Sequence, residues 1–431
     1  MKRKKAIKII IIIFALILAL IVGVAIYYIK KASDVVNQIS GAEYKIDNMV
    51  VVVRSEDSAN SLGDTKNYAF GIQKDTGSEN TRTMVEKINS ELGFDVHTVE
   101  TEDIFQEAQA LLNGEVDAAV YNEAMTTIID EMIEDYSSKV KIIYHYEIQS
   151  KVLSAAKETD GEGETGEKKD NGIGSFQVYI SGIDVEGPIS TTSRSDVNII
   201  ATVNTNTKQV LLTTTPRDYY VTIPNISGDQ RDKLTHAGIY GVDASIATLN
   251  QLFGVAIDYY VRVNFTSLVK IIDTLGGIDV NSDYEFTARG CSFVKGMNHM
   301  DGAQALVFSR ERYAFEDGDN QRGKNQELVI GAIISKVTSA EGIAHAADMI
   351  SEVGDSLETN MGQMTIIKLI QLQMKDASSW HVVSTAATGS GDNQACYSSG
   401  SQLLYVMWPN EDSVAEISEK MKQVEAGEIL E

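Results

Sequence analysis

The chain has 431 residues, enough for two or three domains, and carries 61 acidic residues against 37 basic ones, a net charge of −24. That balance excludes the basic footprint of a duplex nucleic-acid binder, and two cysteines exclude a disulfide framework. Four prolines and 43% hydrophobic content fit folded domains rather than disorder.

Lys2, Arg3, Lys4, Lys5 and Lys8 precede an apolar run at residues 9–29. Its length is close to the roughly 20 residues a membrane-spanning helix needs, and a secretory signal has a shorter apolar core. Residues 1–8 are read as a cytoplasmic basic tail and 9–29 as a transmembrane helix. Only Lys30 and Lys31 follow the span directly, so the positive-inside rule places everything from about Ala32 outside the cell membrane. That compartment permits a disulfide between Cys291 and Cys396; the alternative is two separate buried thiols.

Residues 44–150 alternate strand and helix patterns. Apolar runs at 49–53, 68–72 and 116–121, an alternating stretch at 94–99 and a closing run at 139–146 read as strands. Helical spacing covers 83–92, 104–112 and 125–133, with Gly114 as a C-terminal glycine. Such alternation implies a partly parallel sheet with helices packed on it. No catalytic constellation stands in this unit, which reads as an accessory domain with ligand or partner binding as the other option. Residues 154–174 are charged, rich in glycine and nearly free of apolar side chains, and mark a linker.

Residues 175–431 read as a second, larger α/β domain. Strands are expected at 176–180, 197–203, 210–214, 259–263, 306–308, 381–383 and 403–407. Helices are expected at 244–253, 265–275, 326–337, 366–374 and 413–424. Arginine is concentrated here: of 11 in the chain, 8 lie between Arg194 and Arg322 and none follows. A guanidinium is a planar donor fork that matches phosphate oxygens.

Each arginine stands at an element end. Arg194 and Asp196 lead into a strand, and Arg217 and Asp218 follow Pro216 where the next strand stops. Arg310 and Arg312 follow the strand expected at 306–308, with both forks on one side. Arg322 and Gln326 share a face at the start of a helix, whose N-terminus attracts anions. Four such elements in one domain point to a phosphorylated ligand. Phosphate chemistry commonly uses Mg²⁺ with one or two carboxylates; Asp184 and Asp196 are the first candidates, then Asp218 and Asp319. His236 reads as an ordinary loop histidine with substrate contact as the sharper option. Neither a Gly-x-Ser-x-Gly elbow nor a phosphate-binding Gly-x-x-x-x-Gly-Lys loop is present.

Together these stretches carry a resemblance. Ser193-Arg194-Ser195-Asp196, Pro216-Arg217-Asp218, Asp258-Tyr259-Tyr260-Val261, Gly276-Gly277-Ile278-Asp279-Val280, Gly302-Ala303-Gln304-Ala305-Leu306, Arg310-Glu311-Arg312, and Asp319 with Arg322 and Gln326 resemble the catalytic domain of the LytR–CpsA–Psr family of cell-wall phosphotransferases. The motif core is 176–340. The anchor and accessory domain resemble a CpsA-like member.

The resemblance implies a mixed-sheet α/β catalytic domain at 175–431. It implies transfer of an anionic glycopolymer, capsular or teichoic-acid-like, from a polyprenyl-pyrophosphate carrier to peptidoglycan. Arg194, Arg217, Arg310, Arg312, Arg322 and Gln326 would hold the pyrophosphate, Asp184 and Asp196 would bind Mg²⁺, and Asp319 would orient an arginine or act as base. The apolar faces of 265–275 and 328–337 would form a slot for the polyprenyl tail. Gly323-Lys324-Asn325 departs from the Arg/Gln-rich run common in the family, leaving contacts from 323–325 open. A non-catalytic lipid-binding regulator and a pyrophosphate hydrolase are the competing readings; a transcription factor conflicts with the net charge and the anchor orientation.

Overall fold

The structure is a computed structural model describing residues 44–74, 78–151, 173–183, 189–315, 319–339, 357–376 and 378–431. The span expected at 9–29, the linker's 154–172 and Asp184 lie outside these residues. Among the described residues no helix is long and apolar enough to cross a membrane.

The first unit comprises β1 (Tyr44–Arg54), β2 (Ala69–Gln73), α1 (Ser78–Leu92), β3 (His97–Thr101), α2 (Ile104–Asn113), β4 (Ala118–Asn122), α3 (Thr126–Met132) and β5 (Val140–Lys151). The sheet order is β3-β2-β4-β1-β5. β2 runs parallel to β3 and β4, while β1 is antiparallel to β4 and β5. The unbroken apolar run in β1 follows from burial on both faces. Met49, Val51 and Val53 pack towards Met84 and Ile88 of α1, and Val50 and Val52 towards Ala108 and Leu111 of α2. Gly114 ends α2 in the left-handed conformation at φ 75°.

The second unit opens with β6 (Ser175–Ile183), β7 (Ser195–Asn204), β8 (Gln209–Thr214), β9 (Tyr220–Thr222), β10 (Arg231–Lys233), α4 (Leu234–Ala237), α5 (Val242–Phe253), β11 (Tyr259–Asn264) and α6 (Phe265–Thr274). Four short strands follow: β12 (Ile278–Ser282), β13 (Phe286–Ala288), β14 (Cys291–Phe293) and β15 (Gly296–Met300). Then come α7 (Gly302–Arg310), α8 (Asp319–Val337), β16 (Leu357–Thr359), α9 (Gln363–Lys375), β17 (His381–Ala386), β18 (Gly389–Ala395), β19 (Leu403–Pro409) and α10 (Glu411–Ala426).

The central sheet has the order β16-β11-β6-β7-β8-β17. It is mixed: β6 pairs parallel with β11 and β8 with β17, whereas β7 is antiparallel to both neighbours. Alternation along the strands buries both faces. Tyr179, Ile200 and Leu211 pack against α5 and α10. Val178, Ile199, Ala201, Val210 and Leu212 face Ile330 and Ile334 of α8 and Leu369 of α9. Each fully buried side chain of this size contributes about 1.5–3 kcal/mol.

Two expectations fail here. Leu306-Val307-Phe308 is not a strand; it lies inside α7. Asp301 caps that helix by accepting from the Gln304 backbone N–H at 2.8 Å, and Ala305, Phe308 and Ser309 are buried at helical spacing. Cys291 and Cys396 are not bridged; both are free thiols. Cys291 packs beside the core of β12–β15 and α7, while Cys396 belongs to a different core with Tyr220, Ile239 and Leu404. Burial pushes the Cys396 thiol up to about 12, with Asp232 adding to the rise.

Candidate active site

The ends of β7, β8 and β10 bring three of the sequence-marked residues together. Arg217 Nη1 donates to Asp196 Oδ1 at 3.2 Å, and its Nε stands 3.6 Å from Asp218 Oδ2. Thr235 Oγ1 also donates to Asp196 Oδ1, at 3.0 Å. Burial pushes the Asp196 carboxyl up, but Arg194, Arg217, the Thr235 hydroxyl and Arg322 outweigh it and hold Asp196 below the ordinary value. The carboxylate therefore stays ionised among cations.

Asp196, Asn198, Thr215, Arg217, Arg322 and Gln326 line a small polar cleft. Gly323 lines it too, and a Cβ there would meet Thr214 Cγ2 at 3.2 Å, so glycine lets α8 lie close on the end of β8. Asn325 is a packing residue: its Nδ2 donates to the Phe308 carbonyl at 3.2 Å. The departure at 323–325 thus places a close approach at the cleft rather than another donor fork.

Beside the cleft runs an apolar slot of about 490 Å³ between the central sheet and helices α6 and α8. Val178, Ile180, Ala201, Leu268, Ile330 and Ile333 form its walls. Ser309, Arg310 and Gln326 are among its polar lining residues, with Asn264 and Thr359, and Gln326 borders both slot and cleft. The Arg310 guanidinium lies 4.1 Å from the Phe265 ring centre, a cation–π contact that sets its direction. The slot combines the two apolar faces expected from the sequence, on α6 and α8.

Not every marked residue comes here. Arg310 ends a helix and Arg312 stands in the loop beyond it, so their forks do not share a strand face. Arg312 lies over the exposed Tyr313 ring and donates to its hydroxyl at 2.6 Å. Asp319 begins α8. His236 is fully buried in α4, with Nδ1 2.6 Å from Asp232 and 2.9 Å from Ser398, and is part of the packing rather than a substrate contact.

Sequence reasoning missed Lys233, whose Nζ stands 3.3 Å from Asp218 Oδ1. It also missed Glu131 of α3, which pairs with Arg194 at 2.6 Å and Lys233 at 2.7 Å. Only the fold brings residues so far apart in the chain together. The approach is tight at Gly238, where a Cβ would sit 2.6 Å from the Ser193 carbonyl oxygen and 2.7 Å from the Ser195 nitrogen.

As for metal ligands, both Asp196 bonds fall on one oxygen, Oδ1. The described residues contain no cluster of three acidic, His or Cys side chains suited to a metal. One ionised carboxylate lining a small polar cleft is compatible with Mg²⁺, which commonly takes one or two carboxylates and its other ligands from water and phosphate oxygens.

Glu327 sits buried next to the cleft against Thr214. Burial raises its carboxyl from the ordinary 4.5 to about 7, against the opposing pull of Thr214 and Lys324. Between those values the folded chain holds a proton that the unfolded chain releases, so stability falls as pH rises through that window. The loss is roughly 3 kcal/mol. Denaturant unfolding at pH 5 and pH 8 should show this slope in the native chain, and the slope should be smaller by that amount in Glu327→Gln.

Comparison with known proteins matches residues 141–423 to the LytR_cpsA_psr family. A second profile, described as DNA polymerase processivity factor, matches residues 3–121. The polyisoprenyl-teichoic acid–peptidoglycan teichoic acid transferase TagU of Enterococcus faecalis is 37% identical over 190 residues, 43% of this chain and 61% of that protein. The chain therefore spans less than two thirds of that relative's length. TagU of Bacillus anthracis is 32% identical over 229 residues, 51% of this chain and 74% of that one. The crystal structure of Bacillus subtilis TagV, 23% identical, covers 60% of this chain and 99% of its own with a TM-score of 0.50, a likeness of fold.

Proposed function

Because the chain belongs to the LytR_cpsA_psr family, we propose that it is a phosphotransferase moving an anionic glycopolymer from a polyprenyl-pyrophosphate carrier to peptidoglycan. The observation that carries this reading is the junction at Gln326. There an arginine-lined polar cleft meets an apolar slot, as a ligand with a pyrophosphate head and a hydrocarbon tail requires. Relatives named as teichoic acid transferases support it.

In this reading the tail lies between the sheet and α8, and the pyrophosphate rests among Arg217, Arg310, Arg322 and Gln326, with Arg194 and Asp196 alongside. An acceptor hydroxyl attacks the phosphorus bearing the polymer. The new P–O bond makes the phosphodiester, and the bond to the polyprenyl phosphate breaks. Fixed guanidiniums stabilise the charge that builds on the equatorial and leaving oxygens. Asp196 with Asp184 would hold Mg²⁺, which adds positive charge at the phosphate oxygens. Asp319 remains the candidate for orienting an arginine or accepting the hydroxyl proton. An anchor at 9–29 would confine the enzyme to the outer membrane surface where a lipid-linked donor resides.

The first unit is proposed as an accessory domain. Between residues 44 and 121 it carries six Lys and Arg against fifteen Asp and Glu, a charge that repels nucleic acid.

Incubating the protein with lipid-linked polymer, Mg²⁺ and peptidoglycan fragments tests the proposal. Polymer joined to the fragments is the expected result. Free polymer phosphate as the only product would make the protein a hydrolase, and unchanged donor that stays bound would make it a lipid-binding regulator.

A further inference from the structure

We propose that Glu131, supplied by the first unit, is a positioning residue of the arginine site, so that the site is complete only with that unit docked. This rests on the reading above that Arg194 faces the anionic donor.

The geometry is specific. Each Glu131 carboxylate oxygen serves a different cation: Oε1 lies 2.6 Å from Arg194 Nη1, and Oε2 lies 2.7 Å from Lys233 Nζ. Lys233 continues to Asp218 at 3.3 Å, Asp218 to Arg217 at 3.6 Å, and Arg217 to Asp196 at 3.2 Å. Arg194 in turn acts electrostatically on Asp196. Six charges of alternating sign thus form a loop, five from the second unit and one from the first. The Lys233 side chain is only 5% exposed, and a cation buried to that degree needs opposite charge at hand.

Local structure does not explain Glu131. It stands in the last turn of α3, where the helix dipole disfavours an acid. Burial also pushes its carboxyl up. Lys233, His236 and Arg194 reverse that and hold it below the ordinary value. The cost of this placement is offset only across the interface.

The docking that delivers Glu131 is built independently of it. β1 bridges to the segment ahead of Arg194, pairing Ile46 with Thr191, and Thr192 Oγ1 donates to Asp47 Oδ1 at 2.9 Å. Ile128 and Met132 of α3 pack against Tyr220, Ile239, Leu404 and Val406. The stretch carrying Arg194 is therefore pinned by β1 on one side and by Glu131 at its guanidinium.

The test uses the full chain and geranyl pyrophosphate as probe, with binding followed by calorimetry. Glu131→Ala should weaken binding about tenfold, with isosteric Glu131→Gln in between because it keeps one acceptor. The Glu131→Ala/Arg194→Ala double variant should lose clearly less binding than the two single losses combined, because part of the Glu131 effect passes through Arg194. Additive losses, or wild-type binding by Glu131→Ala whatever its melting temperature, would overturn the inference. Tighter binding would make Glu131 a competitor of the phosphate and would overturn it as well. If Arg194→Ala and Arg217→Ala both bind the probe normally, the arginine-site reading itself fails, and this inference with it.

Discussion

Replacing Arg217 by Ala is expected to reduce transfer by roughly 10²–10³-fold, with the melting temperature nearly unchanged. Its guanidinium stands at the end of β8 behind Pro216, between Asp196 and Asp218. The two carboxylates do not become orphans when it is removed. Arg194 and Arg322 still act on Asp196, and Lys233 still pairs with Asp218. The fold therefore survives while the cleft loses its central donor fork. Arg217→Lys keeps the charge but not the planar fork, and should recover only part of the rate. Rates measured with lipid-linked donor and peptidoglycan fragments decide the matter; wild-type-like turnover by Arg217→Ala would remove the cleft from the mechanism.

The largest effect on stability is expected from Arg262→Ala, about 3–5 kcal/mol. Arg262 is buried on β11. It donates to Glu358 of β16 at 3.0 Å and to the Thr191 carbonyl at 3.0 Å, and Tyr260 donates to the same Glu358 at 2.9 Å. Truncation leaves the Glu358 carboxylate buried without its cation. Replacing both partners by apolar residues of similar volume, Arg262→Met with Glu358→Leu, should restore most of the loss, because no uncompensated charge remains. Denaturant unfolding of the two variants measures the difference. A loss below about 1 kcal/mol for Arg262→Ala would mean water reaches Glu358.

The arginine site was partly legible in the sequence because strand ends are. The apolar runs of β7 and β8 and the fixed backbone at Pro216 locate Arg194, Asp196 and Arg217 without any tertiary information. The same habit misled at 306–308, where three consecutive apolar residues outweighed a cap signal, Asp301 with Gln304 three residues on. Read as a helix, the segment ends at Arg310, and the two arginines part company. Short strands such as β13 and β14, three residues each, carry too little periodicity to register. Glu131 had no local signal at all. An acid near a helix end looks like solvated surface until a separate unit turns out to hold its partners.

The order in which the central sheet closes has a consequence for synthesis. β8 and β11 would be its edges were they not covered by β17 and β16, both of which come after residue 356. A chain emerging from its N-terminus first therefore presents two open strand edges until residues 357–386 arrive. Ala386 and Ala387, at the end of the last strand added, also line the polar cleft. The cleft is therefore finished only once residue 387 has emerged, and a chain cut short before that point would be prone to aggregate through its open strand edges.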